Sequence, residues 1–336
     1  MSRSDQVVSL LPTGADGVVL ETPGVVSWYL GGARVSVPLG GPSIVAVLVH
    51  RDGDEVRCHV MEASRLQDEE GVMDATAVAW PELLIPDHWR GDPRLLSEHQ
   101  LESELRAARA SLTETELDRY RALGSGVAAA VTAVATQLVP DATELSVAGA
   151  LADAVYSLGA EPVVVLVAGA SRLGYRHPVP TPSPLGERTM LVVGARRHGL
   201  IVNLTRWVSF APRAVDHRLL QVEAAVLDAT VPGAPFTDVF ATLQRAYASH
   251  GFDHNEWRNH HQGGPTGYFG RDPKVTPSSQ GVVAENQAFA WNPSAPGAKV
   301  EDTVLATTAG IELLTHDPDW PRVIVAGRPR PTELPL

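Results

Sequence analysis

With 336 residues, 44% hydrophobic and 20% charged, the chain reads as globular material, and its length exceeds one ordinary hydrophobic core, so two domains or one large layered domain is expected. Lys+Arg 27 against Asp+Glu 39 gives a formal net charge of −12, which repels phosphate backbones and anionic lipid heads and argues against nucleic-acid or membrane partners. The single cysteine, Cys58, excludes an internal disulfide and a cysteine-rich metal site, which fits a reducing cytoplasm, and the longest apolar run, Val163–Ala170, is far short of a membrane span.

The first hundred residues read mostly as strands, at Val25–Leu30, Ser43–His50 and Glu55–Met61, with Arg51-Asp52-Gly53-Asp54 as a hairpin turn. From Trp80-Pro81 to Asp92-Pro93, prolines interrupt regular structure. The expected division is a smaller domain over 1–104 and a larger one over 105–336. Thr113-x-x-Glu116 is a capping box, and Leu117, Tyr120, Gly124, Val127, Val131, Val134 and Leu138 follow at helical spacing. A second helix over Thr143–Leu158 stops at Gly159. Strands follow at Val163–Ala168, Thr189–Ala195 and Leu200–Trp207, the last two joined through Arg196-Arg197-His198-Gly199. Helices over Ala214–Asp228 and Phe236–Ser249 lead into a glycine- and histidine-rich loop, and the end returns to strands at Ala288–Trp291 and Lys299–Thr307.

Four segments, in order, carry a resemblance. Trp28-Tyr29-Leu30-Gly31-Gly32 comes first, then Tyr175-Arg176-His177-Pro178. Next is Val192-Val193-Gly194-Ala195-x-x-x-Gly199-Leu200-x-x-Asn203-Leu204-Thr205-Arg206, and last Asn292-Pro293 with Val300-Glu301-Asp302-Thr303 and Gly310-x-Glu312. Together they resemble the pita-bread family of creatinase, prolidase, aminopeptidase P and methionine aminopeptidase. The resemblance implies an α+β chain: a pita-bread fold with a curved antiparallel sheet flanked by helices, plus a smaller N-terminal α/β domain. It also implies a homodimer.

Metallopeptidases of that family hold two metal ions through two Asp, one His and two Glu, whose hard oxygens bridge the cations and acidify a shared water. At the matching positions this chain has Val192, Asn203 and Asn292, and keeps Glu301; His260 or His261 stands near the histidine position. Val192 has no lone pair and the asparagines bring no charge, so no metal and no other cofactor is expected. Creatinase cleaves a C–N bond on this fold without metal, and Gly270-Arg271-Asp272 resembles its G-R-E segment, whereas Thr205 stands where that enzyme has a glutamate.

The reading that follows is a metal-independent, creatinase-like hydrolase of a C–N bond in a small amide, amidine or amino-acid derivative. In it His177 shuttles the proton, since imidazole titrates nearest neutral pH. Glu301 orients that imidazole or a substrate cation, Arg206 or Arg271 holds a carboxylate, and Asn203 with Asn292 polarises the scissile group; His260, His261 and Tyr268 line the loop side of the pocket. Each has a plainer account: His177 as a solvent-facing loop residue, Glu301 paired with Lys299 at the surface, the arginines as structural donors, and the loop from His254 to Tyr268 as buried structural hydrogen bonding. Two further readings stand beside the first: a non-catalytic binding protein on the same fold, and an Xaa-Pro aminopeptidase-like metallopeptidase with an atypical site.

Overall fold

The computed structural model describes residues 2–212 and 216–336. Two compact units divide the chain: residues 1–111 with 198–200, and residues 112–197 with 201–336. The first unit holds α1 (Arg3–Leu10), β1 (Gly17–Leu20), α2 (Pro23–Tyr29), β2 (Val45–His50), β3 (Glu55–His59), α3 (Val60–Glu70), β4 (Thr76–Val78), α4 (Asp87–Gly91), β5 (Leu95–Ser97) and α5 (Glu102–Ala108). Its strands form one mixed sheet in the order β4-β3-β2-β1-β5. The expected division at residue 104 falls inside α5, which stays with this unit because Gln6 of α1 donates to the carbonyl of Ala108 at 2.8 Å. Val25–Leu30, expected as a strand, is helical: Pro23 occupies the first turn, where its missing N–H costs nothing, and Val25, Val26 and Trp28 are buried. Likewise, β3 ends at His59 and Val60-Met61 open α3.

The second unit begins with α6 (Glu114–Ala135) and α7 (Glu144–Ser157), followed by β6 (Glu161–Ala168), β7 (Arg188–Arg197), β8 (Leu200–Ser209), α8 (Arg218–Ala229) and α9 (Phe236–Ser249). Then come β9 (Gly263–Thr266), β10 (Gln287–Trp291), β11 (Ser294–Ala295), β12 (Ala298–Lys299), β13 (Asp302–Thr307), β14 (Gly310–Leu313), β15 (Arg322–Val325), β16 (Arg328–Pro331) and β17 (Leu334–Pro335). The expected start of α8 at Ala214 lies outside the described residues; the helix begins at Arg218. The strands of the expected curved sheet form two two-stranded sheets, β11-β12 and β15-β16, and two four-stranded ones, β17-β8-β7-β6 and β14-β13-β10-β9, with β17 parallel to β8. The four-stranded sheets meet along β8, where Ile201 N donates to Gly267 O at 2.8 Å and Thr205 N to Glu301 O at 2.9 Å.

Helix α6 starts at the capping box, with Thr113 Oγ1 accepting from Glu116 N, and buries Leu117, Tyr120, Gly124, Val127 and Val131. Gly124 lets it approach closely: a Cβ there would lie 2.3 Å from the Leu314 carbonyl oxygen. Phe236, Val239, Phe240, Leu243, Ala246 and Tyr247 recur at helical spacing along α9, and they pack with α8 against Phe289, Trp291, Val304 and Ala306 of the sheet. Each buried Val, Leu or Phe among them contributes on the order of 1.5–3 kcal/mol of burial free energy. Among the described residues, no helix is long and apolar enough to cross a membrane.

Candidate active site

Successive residues of β8 face opposite sides of the sheet. On one face Thr205 Oγ1 donates to Glu301 Oε2 at 3.0 Å, and Trp207 packs with Val192 in an apolar patch that also holds Ala168 and Met190. Asn203 belongs to this face. Arg206 belongs to the other, where it is 3% exposed and bound to Asp302 at 2.9 Å and to the Thr315 carbonyl at 2.7 Å. Asp302 also meets Arg330, which pairs with Glu223, so two guanidinium groups and two carboxylates balance inside the core. Of the two arginines expected to hold a substrate carboxylate, Arg206 is instead tied to Asp302 and the Thr315 carbonyl, on the face away from Glu301.

Glu301 sits where regular structure breaks, between β12 and β13. Lys299, expected as its surface partner, is instead buried with it: Lys299 Nζ lies 2.9 Å from Glu301 Oε2, and Arg271 Nη2 donates to Oε1 at 2.5 Å. Burial on its own raises a carboxyl pKa; Lys299 and Arg271 outweigh it and hold Glu301 at about 2. Its oxygens thus steady two cations rather than an imidazole. Continuing the β10–β13 register, in which Trp291 faces Asp302, places Asn292 beside Glu301. Asn292 Oδ1, Asn203 Nδ2 and Arg271 Nε are buried and have no hydrogen-bond partner among the described residues.

The third group is a cluster of imidazoles. His177, in the loop between β6 and β7, is exposed; His260 and His261 precede β9. His260 Nε2 is 3.0 Å from His177 Nε2, and His260 Nδ1 is 3.1 Å from Ser294 Oγ. The two loops are tied by an ion pair between Arg176 and Glu256. Gln262 locks the second loop, donating to the carbonyls of Trp257 and His260 and accepting from Tyr247 at 2.8 Å. Gly263 and Gly264 serve a neighbouring backbone: both have positive φ, and a Cβ on Gly263 would lie 2.2 Å from the Ala290 carbonyl oxygen. Tyr268 is not part of the cluster; its hydroxyl donates to Glu116 of α6 at 2.6 Å.

All three imidazoles are held neutral at pH 7. Burial, then Lys299, pushes His260 down to about 3; burial, then Arg271 and Lys274, pushes His261 down to about 4. His177 is lowered by partial desolvation, then by Lys299, with Glu301 opposing. The site thus combines neutral proton carriers with two buried cations, and this is where sequence reasoning missed most. From sequence, Lys299 reads as a surface partner of Glu301, and Ser294 and Lys274 are not among the candidates. For two of the three the available signal is spacing: Lys299 is two residues before Glu301, and Ser294 two after Asn292.

A pair of divalent ions bridged by oxygen ligands requires anionic groups to offset lost hydration. Val192 offers no donor, Asn203 and Asn292 are neutral, and the one carboxylate, Glu301, is already shared by Lys299 and Arg271. These residues do not fit such a centre.

The model of a family described as Metallopeptidase family M24 matches residues 118–308. No curated protein matches the sequence. Among solved structures, the chain resembles the prolidase from Pyrococcus horikoshii, with TM-score 0.78 and 16% identity over 94% of this chain and 98% of that one. The X-Pro aminopeptidase from Thermotoga maritima gives 0.76 and 14% over 99% and 100%. A dipeptidase from Mycobacterium ulcerans gives 0.74 and 19% over 100% and 96%. At these identities the likeness concerns the fold.

Proposed function

The chain belongs to metallopeptidase family M24, and from that premise we propose that it hydrolyses the C–N bond of a small peptide-like amide without the family's pair of bridged metal ions. The observation that carries the reading is the His177–His260 pair, at 3.0 Å, beside a carboxylate neutralised by Lys299 and Arg271. Neutral imidazole is the form that accepts a proton, and the burial and cations around it keep it in that form.

In this reaction water adds to the carbonyl carbon while His177 takes its proton. The imidazolium then returns that proton to the departing amine as the C–N bond breaks, so one water is consumed and no electrons change hands. Arg271 and Lys299 offset the charge that develops on the carbonyl oxygen, with Glu301 as their positioning residue. Asn203 Nδ2 and Asn292 Oδ1 supply a donor and an acceptor for the polar parts of the substrate. The similar structures are a prolidase, a dipeptidase and an X-Pro aminopeptidase, so dipeptides, including those ending in proline, are the first substrates to try. The protein acts as a homodimer in this proposal, which light scattering checks.

A second reading, an atypical metallopeptidase, is favoured by the family match itself. One experiment separates them: turnover of a panel of dipeptides, N-acyl amino acids and guanidino acids, with chelator and with added Mn, Co or Zn. The proposal expects activity that survives chelation and falls by roughly two to four orders of magnitude in His177→Ala. Turnover that appears only with two ions per chain supports the second reading, and its absence across the panel favours a binding protein.

A further inference from the structure

We propose that His177, His260 and His261 form a site for one transition-metal ion of borderline softness, such as zinc. One nitrogen from each ring lies within 4.8 Å of the others, and the His260 and His177 Nε2 atoms are 3.0 Å apart. Two imidazole nitrogens about 2.0–2.1 Å from a tetrahedral ion stand roughly 3.3 Å from each other, so small ring movements close the set. His177 is the exposed member, on a loop, and so the one free to make them.

The surroundings favour ligation. Ser294 Oγ lies 3.1 Å from His260 Nδ1, and the Ser294 amide is itself fixed by donating to the Tyr247 hydroxyl at 2.8 Å. When the serine oxygen accepts the Nδ1 proton, the Nε2 lone pair is left for an ion, the outer-shell device that orients ligating histidines. His261 Nδ1 is buried without a hydrogen-bond partner among the described residues, so recruiting that ring breaks no existing bond. Three imidazoles with no carboxylate select zinc, cobalt, nickel or copper over magnesium, calcium or manganese, and three protein ligands leave a fourth position open.

Opposing charge comes from Lys299 and Arg271, both already bound to Glu301, and from the exposed Lys274. If the proposed hydrolysis holds, the ion and the reaction compete, because the ion takes the lone pair by which His177 would accept a proton.

The test is a titration of the full-length protein, freed of metal, with Co2+, followed by its visible absorption and by calorimetry. The expected result is one Co2+ per chain with the intense bands of a four-coordinate ion, and at least about tenfold weaker binding in His260→Ala or His261→Ala. Lys274→Ala, whose exposed side chain can be lost without disturbing the fold, should bind Co2+ several-fold more tightly. Circular dichroism screens the histidine variants for folding, and the lysine variant keeps the test decisive if they unfold. Octahedral bands only, or affinity unchanged in folded histidine variants and in Lys274→Ala, overturn the site. The titration needs no turnover, so it stands whether or not hydrolysis is found; where turnover exists, stoichiometric Zn2+ should abolish it.

Discussion

Replacing Glu301 with Gln keeps the shape of the side chain and removes the negative charge between buried Lys299 and Arg271. Burial raises the carboxyl pKa and the two cations lower it further than that, to about 2 from an ordinary 4.5. At about 1.4 kcal/mol for each tenfold change in acidity, the drop is worth about 3 kcal/mol of folding free energy. That is close to the cost, about 3–5 kcal/mol, of stripping one partner from a buried ion pair. Since the folded-state pKa is depressed, the contribution is complete above pH 4.5 and fades as pH falls toward 2. Urea denaturation at pH 7 should therefore separate wild type from Glu301→Gln by about 3 kcal/mol, and the gap should narrow below pH 4.5. Adding Lys299→Met to the variant should restore part of the loss, because it removes a buried cation left without a counter-charge. A gap under about 1 kcal/mol, the range of exposed pairs, or one that does not change between pH 7 and about 3, refutes the reasoning.

Three further outcomes follow from the same contacts. The kcat/KM of the proposed hydrolysis should be level above pH 6.5 and fall only in more acidic solution, since His177 must be neutral to accept a proton and its pKa is held below the ordinary value; a limb that rises through pH 8 would point to a different base. Gly124→Ala, which helix propensity alone scores as stabilising by about 1 kcal/mol, should instead destabilise by about 1–3 kcal/mol, because the new Cβ meets the Leu314 carbonyl; thermal and urea unfolding decide the sign. Arg206→Ala should cost about 3–5 kcal/mol of stability and, in whatever folded fraction remains, leave KM near that of wild type, whereas a carboxylate anchor would raise KM.

Local signals that agree with their surroundings were legible from sequence. The capping box at Thr113 and the apolar spacing after it located α6, and β-branched runs around Arg196–Gly199 located the β7–β8 pair. Val25–Leu30 misled because valine, tryptophan and tyrosine favour strands, yet Pro23 before them and Gly31-Gly32 after them mark a short helix that burial then stabilises. The stretch Lys299–Thr307 reads as one strand, but it is broken at Val300-Glu301, between β12 and β13.

Which charges end up buried together was hidden, because it depends on pairing between distant strands. Part of the site was nevertheless within reach of a two-residue period. If Asn203 faces the pocket from β8, Thr205 does too and Arg206 cannot, so Arg271 was the only one of the two arginines able to share a face with Glu301. The same period assigns Thr205 its place beneath Glu301, where a hydroxyl can donate to the carboxylate but cannot replace its charge. The charge on this face is therefore set by Glu301 and its two cations, and positive charge exceeds negative at the point where three neutral imidazoles gather. Such a field favours a developing oxyanion and resists a divalent ion, so the strength of Co2+ binding in Lys274→Ala relative to wild type measures directly how far that field governs the histidine cluster.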